Sequence, residues 1–171
     1  ISLPSSVEEL QEGWCKHTSS LTTVSVSPNN KNFKYIDEKI IIGKSDKNSE
    51  KFDVLVFGLR SIQSVEIPSY IKQISSYAFS ECNSLSSVIF SENSELRLIG
   101  KDAFSYTSIK SLSIPPSIEE LKEGWCRKTP KLTHVSIPSE NKNFSLIDEK
   151  FIVGKSNKND DKFDVLLFAN R

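Results

Sequence analysis

A chain of 171 residues with 22 basic and 22 acidic side chains carries no net charge, which excludes the strong basic field that gathers nucleic acid or an anionic membrane surface. Its apolar fraction of 37% is modest for a compact globule, while its length is ample for one elongated domain. No apolar run approaches the roughly 18 residues that span a bilayer, so direct membrane insertion is not expected.

The N-terminus lacks a basic start followed by an apolar signal segment. The chain opens at Ile1 and contains no methionine, which predicts a segment of a longer polypeptide whose targeting signal lies outside it.

In chain order, the first distinctive stretch is Glu9-Leu10-Gln11-Glu12-Gly13-Trp14-Cys15-Lys16-His17-Thr18. A run of apolar, two polar, apolar, x, apolar follows at Leu21, Val24 and Val26. The same run returns at Ile62-Val65-Ile67, Leu85-Val88-Phe90, Ile109-Leu112-Ile114 and Leu132-Val135-Ile137. Glu120-Leu121-Lys122-Glu123-Gly124-Trp125-Cys126 nearly repeats the opening stretch. Residues 1–60 align with 112–171 without gaps, at an offset of 111, and roughly 36 of the 60 positions are identical. Inside that period the short runs begin at intervals of 41, 23, 24 and 23 residues.

Each apolar-x-apolar run predicts a short strand with two inward side chains. Stacking the units puts Val24, Val65, Val88, Leu112 and Val135 in one column and Val26, Ile67, Phe90, Ile114 and Ile137 in the next, so each unit supplies the wall its neighbour lacks. Pro68, Pro115 and Pro138 end the strands, where a missing donor costs little. Beyond them, Ile71-Lys72-Gln73-Ile74 and Ile118 to Trp125 space apolar residues by three and four, which predicts short helical or 3₁₀ turns on the opposite side. The expected organisation is a single solenoid over residues 1–171.

The pattern from Ile62 through Ala78-Phe79 to Cys82 resembles the BspA-like class of leucine-rich repeats, and the resemblance covers essentially the whole chain. It implies an α/β fold class: a leucine-rich-repeat solenoid with a parallel strand ladder, helical or 3₁₀ turns opposite, and β-hairpin insertions. Residues 36–57, with Ile41-Ile42-Gly43 and Phe52 to Phe57, are similar to such a hairpin. Two departures stand out: Gly-Trp-Cys replaces aromatic-Ala-Phe, and Phe90-Ser91 replaces Ile-Pro.

Aligned by unit, Trp125 takes the slot of Ala78 and Cys126 that of Phe79, a large-for-small exchange that favours packing over chemistry for Cys15 and Cys126. His17 follows Cys15 by two, but Lys128 stands there in the second copy, so no Cys/His pair is shared. No nucleophile elbow, phosphate loop or zincin pattern is present, and the chain is not read as an enzyme. Cys15 and Cys126 are placed four turns apart, roughly 19 Å at the spacing of stacked strands, beyond disulfide reach. All three cysteines are expected reduced and buried.

Two surfaces invite a partner. The outward strand positions, Thr23, Ser25, Ser64, Glu66, Ser87, Ile89, Ser111, Ser113, His134 and Ser136, form a flat, nearly uncharged face of the sort repeat arrays use for binding. The hairpin loops 44–51 and 155–162 place acidic and amide residues alternately. Lysine replaces the glycine that an EF-hand requires, and Phe57 or Phe168 its final glutamate, so a solvated turn is the better reading and no cofactor is expected. Phe52 to Phe57 is apolar on both faces, so the hairpin either leaves an apolar patch or is buried on both sides. Asn143-Phe144-Ser145 is a glycosylation sequon absent from the first copy. The resemblance implies an extracellular or cell-surface module that adheres to a protein or glycoprotein ligand. An intracellular scaffold joining protein partners is the alternative.

Overall fold

The computed structural model describes every residue except Lys158, Asp160, Asn170 and Arg171. Along one face run three parallel strand pairs. Strand β1 (Ser2–Leu3) pairs with β2 (Ser25–Val26), β6 (Ser64–Ile67) with β8 (Ser87–Phe90), and β10 (Ser111–Ser113) with β12 (His134–Ser136). Val65 lies opposite Val88, and Leu112 opposite Val135. The Ser108 amide donates to the Leu85 carbonyl at 2.9 Å, tying the coil of β8 to that of β10. Among the described residues, β2 pairs with β1 and has no register partner in β6.

The opposite face departs from expectation. Among the described residues there is no α-helix and no 3₁₀ turn, so the α/β reading is corrected to an all-β solenoid. Where helical turns were expected, β7 (Gln73–Ile74), β9 (Leu98–Ile99) and β11 (Glu120–Leu121) form a second parallel ladder that begins at β5 (Val54–Gly58). The spacing of three misled because Ile71 sits in a turn, its amide donating to Pro68 at 3.1 Å, while Ile74 sits in the strand that follows. A corner delivers both side chains to the core, as a helix would.

The reason lies in the destination of the amides. Tyr77, Phe79 and Glu81 donate to Lys101, Ala103 and Ser105 of the next coil, while Ala78, Ser80 and Cys82 donate three residues back. An α-helix would direct every amide four residues back and a 3₁₀ helix every amide three back, whereas here alternate amides leave for the next coil. Left-handed residues recur every fourth position: Gly13 and His17, Tyr77 and Glu81, Asp102 and Tyr106, Gly124 and Lys128, with φ between 52° and 76°. Each resets the chain before a second helical turn forms. Gly124 is required twice over, since a Cβ there would lie 2.5 Å from the Asp102 carboxylate.

The hairpin insertion is a three-stranded antiparallel meander of β3 (Phe33–Ile36), β4 (Ile40–Gly43) and β5. Its last strand continues into the second ladder, giving a six-stranded sheet in the order β11-β9-β7-β5-β4-β3. All of β4 and β5 is buried, so in this copy both faces of the hairpin are covered. The second meander, β13 (Phe144–Ile147), β14 (Phe151–Gly154) and β15 (Val165–Ala169), repeats the register but has no coil beyond it among the described residues. Leu166 is 60% exposed there, whereas its counterpart Leu55 is 0% exposed.

In the core, Phe79 and Phe104 stack with centroids 5.3 Å apart and planes 3° from parallel. Truncating a fully buried phenylalanine typically costs about 3–5 kcal/mol through lost transfer energy and a residual cavity. Phe104→Ala is expected to lower the denaturation midpoint accordingly. The first hairpin turn holds Asp37 and Glu38 at φ of 51° and 53°, closed by Lys39 donating to Ile36. Turns with two positive φ values favour Asp-Gly, so Glu38→Gly should raise stability by about 1 kcal/mol in urea titration. An unchanged midpoint would refute that reading of the turn.

Candidate binding face

Parallel register brings the predicted outward residues together in neighbouring pairs. Ser64 lies beside Ser87 and Glu66 beside Ile89; Ser111 lies beside His134 and Ser113 beside Ser136. Six of these eight are exposed, Ser87 and Ser136 being half-buried. Thr23 and Ser25 are exposed as well, Ser25 within the β1–β2 pair and Thr23 just before it. The hydroxyls partly satisfy one another: Ser136 Oγ donates to Ser113 Oγ at 3.0 Å. Ser91 Oγ lies 3.0 Å from Glu66 Oε1 and 2.9 Å from the Ile67 carbonyl. The Ser91 amide also donates to Ile67 at 3.1 Å, a bond that a proline there could not make.

Ile89 is the exception on this face. It is 57% exposed, flanked by Glu66 and serines, with its side chain turned away from the column its own strand fills. An apolar residue within a polar surround is the usual anatomy of an interface anchor.

The cysteines do not assemble a site. Cys15, Cys82 and Cys126 are all free and buried. Burial raises the Cys15 thiol pKa, an effect the nearby Arg60 partly opposes. It pushes Cys82 up to about 11, again against Arg60, and raises Cys126 with nothing opposing it. His17 directs Nδ1 at Glu81 Oε1, 3.1 Å away. Cys15, Phe79, Phe104 and Cys126 occupy one slot in successive coils, so three stacking steps separate Cys15 from Cys126, one fewer than the sequence count. The hairpin extends a coil without adding a step on this side. Trp14 and Trp125 face the hairpins, their rings 5.2 Å from Phe57 and 5.8 Å from Phe168. The Gly-Trp-Cys exchange thus marks the coils that a hairpin follows.

Two positioning devices escaped the sequence reading. Asn30 is buried; its amide donates to Pro4 and Val7 carbonyls at 2.8 and 3.1 Å, and its oxygen accepts from the amides of Asn32 and Phe33, both at 2.8 Å. Asn141 repeats this with Pro116, Ile118, Asn143 and Phe144. Each bracket fixes where a hairpin leaves its coil. Arg60, only 4% exposed, donates to the carbonyls of Gly58, Ala78 and Cys15 at 3.0 to 3.2 Å and lies over the Phe57 ring. The available signal was identity between copies: Asn30 recurs as Asn141 and Arg60 as Arg171, the latter outside the described residues.

The hairpin loops bind themselves. Asp53 accepts from the amide and hydroxyl of Ser45 at 3.0 and 2.9 Å, and Asp46 from the Asn48 amide. In the second loop Asp164 does the same with Ser156, and those bonds lower its pKa; Asp160 lies outside the described residues. Asn143 of the sequon is half-buried, donates its side-chain amide to the Ile118 carbonyl at 3.2 Å and is followed by buried Phe144.

Residues 40–149 match the family described as BspA type leucine rich repeat region, in 6 copies. No curated protein matches the chain. Two solved structures share its fold. The pneumococcal vaccine antigen PcpA matches over 91% of this chain and 34% of its own, with 24% identity and a TM-score of 0.58. A leucine-rich repeat protein from Eubacterium ventriosum matches over 84% of this chain and 37% of its own, with 20% identity and a TM-score of 0.69. The chain therefore spans about a third of the length of either. No helix among the described residues is long and apolar enough to cross a membrane.

Two measurements check this part of the structure. Cys82, at about 11, is almost wholly protonated at pH 8, and burial raises the other two thiols as well, so native protein should resist alkylation there while denatured protein labels at three cysteines; rapid native labelling of Cys15 or Cys126 would contradict the packing. Asn141→Ala removes four hydrogen bonds, two of them buried, and takes the side-chain donor from the Pro116 carbonyl, a loss of about 2–4 kcal/mol by chemical denaturation.

Proposed function

This chain belongs to the BspA-type leucine-rich-repeat family, and from that premise we propose that it is a binding module of an extracellular or cell-surface protein, adhering through its flat strand face to protein or glycoprotein partners. The observation that carries the proposal is the register of β6–β8 and β10–β12, which sets Ser64 and Glu66 beside Ser87 and the exposed Ile89, and Ser111 and Ser113 beside His134 and Ser136. The face is rigid because every strand beneath it is held by the coil behind, so binding requires little further ordering of the backbone. Short hydroxyl side chains add little rotamer entropy to be lost.

The surface assignment draws on the family and on the kinship of fold with a pneumococcal vaccine antigen, an antigen being a molecule that immune recognition reaches. The role of the cysteines is structural in this reading. Protonated, buried thiols lack the thiolate and the access that nucleophilic chemistry requires.

A screen against extracellular-matrix and cell-surface proteins tests the proposal. The ligand found should bind Ile89→Asp at least tenfold more weakly, about 1.4 kcal/mol, with the denaturation midpoint unchanged. Bulky charged residues at Ser111, Ser113, His134 and Ser136 should weaken binding too. Undiminished binding by both variants would remove the strand face from consideration.

A further inference from the structure

Beyond the strand face, the second meander and the coil before it carry a groove of about 840 Å³, lined by Trp125, Cys126, Leu132, Leu167 and Phe168 among others. The same surface exists once more inside the molecule, where its occupant is visible. Around Trp14, Cys15 and Phe57, the corresponding space is filled by the coil that carries Tyr77, Ala78, Phe79 and Cys82. Ala78 accepts from the Gly58 amide at 2.9 Å, Tyr77 from the Cys15 thiol at 3.7 Å, and Phe79 is wholly buried. The open copy shows what that coil covers. Besides Leu166, the side chains of Phe151 and Leu167 are 37% and 36% exposed, against 2% and 8% for their counterparts Ile40 and Val56.

The two seats differ at one telling position. Gly58 lies against the Phe79 ring so closely that a Cβ there would stand 2.3 Å from two ring atoms. That ring is held in place by its stack on Phe104. In the open seat, the counterpart of Gly58 is Ala169. A coil identical to 61–84 would therefore drive its phenylalanine into the Ala169 methyl group.

We propose that the groove beside Trp125 and Phe168 is a docking seat for a further solenoid coil, and that Ala169 restricts it to coils with a residue smaller than phenylalanine in the slot of Phe79. The chain itself supplies a precedent for such a residue, since its two Gly-Trp-Cys coils place cysteine in that slot. The occupant is a repeat coil rather than a second copy of this chain docked through its own Phe79 coil, because that coil is enclosed between its neighbours. Gly58 and Ala169 thus act as opposite selectors, one admitting the aromatic ring and one refusing it. This specificity is independent of what the strand face binds.

The test is a double-mutant cycle on the full chain extended after Arg171 by a second copy of residues 61–111. The added segment carries either phenylalanine or valine at its Phe79 counterpart, each with Ala169 or Ala169→Gly. Ala169→Gly should raise the Tm of the phenylalanine-bearing chain by about 5 °C and leave that of the valine-bearing chain level or lower. The valine-bearing chain with Ala169 should also protect its added segment from protease. Equal effects of Ala169→Gly in both chains would overturn the selection rule. An added segment that is digested in every variant, or an unextended chain that dimerises in sedimentation and is returned to monomer by Leu166→Lys, would overturn the seat itself.

Discussion

Backbone amides that donate to the neighbouring coil are the constraint on which this molecule depends. Tyr77, Phe79 and Glu81 reach the coil of Phe104, and Asp102, Phe104 and Tyr106 reach that of Trp125. The strand faces repeat the arrangement through the parallel ladders. A coil that exports alternate amides cannot satisfy itself, so its stability is a nearest-neighbour quantity. The left-handed residues follow from the same requirement. They turn the chain so that the intervening amides can close short turns, and non-glycine residues such as Tyr77 and Glu81 accept that conformation because both sides of the turn are fixed by the stack.

An insertion into such a stack must either interrupt it or imitate a coil. The first meander imitates one: β5 takes the place of a rung in the second ladder, with Leu55 opposite Ile74. The substitutions around it become intelligible on that basis. Tryptophan replaces alanine where a hairpin, rather than another turn, has to be covered. Arg60 then gathers carbonyls from Cys15, Gly58 and Ala78 at the junction. It has no carboxylate partner among these contacts; the guanidinium is held by carbonyl dipoles and the Phe57 ring, which is why a cation is tolerated in a core otherwise made of aliphatic and aromatic groups.

Function enters through what the stack leaves over. A ladder built from apolar-x-apolar strands spends the two apolar positions on the core and presents the middle ones in rows whose spacing is set by the strand separation. The rows of Ser64 and Ser87, or Ser111 and His134, therefore follow the register of the core beneath them. The second meander presents a different kind of surface, with Phe151, Leu166 and Leu167 exposed.

The residues alone determined the parallel stacking of Val65 on Val88 and Leu112 on Val135, the outward set from Ser64 to Ser136 and the burial of the cysteines. Each follows from a period of two within strands and a recurring unit between them, properties local to the chain. The absence of helix at Ile71 to Ile74, the brackets of Asn30 and Asn141 and the place of Arg60 were decided by tertiary structure. A spacing of three does not reveal whether an amide bonds within its own turn or to the next coil, and polar side chains show their partners only once distant carbonyls are brought beside them. Leu55 and Leu166 share one sequence context, and only the presence of a neighbouring coil buries the first and leaves the second in water.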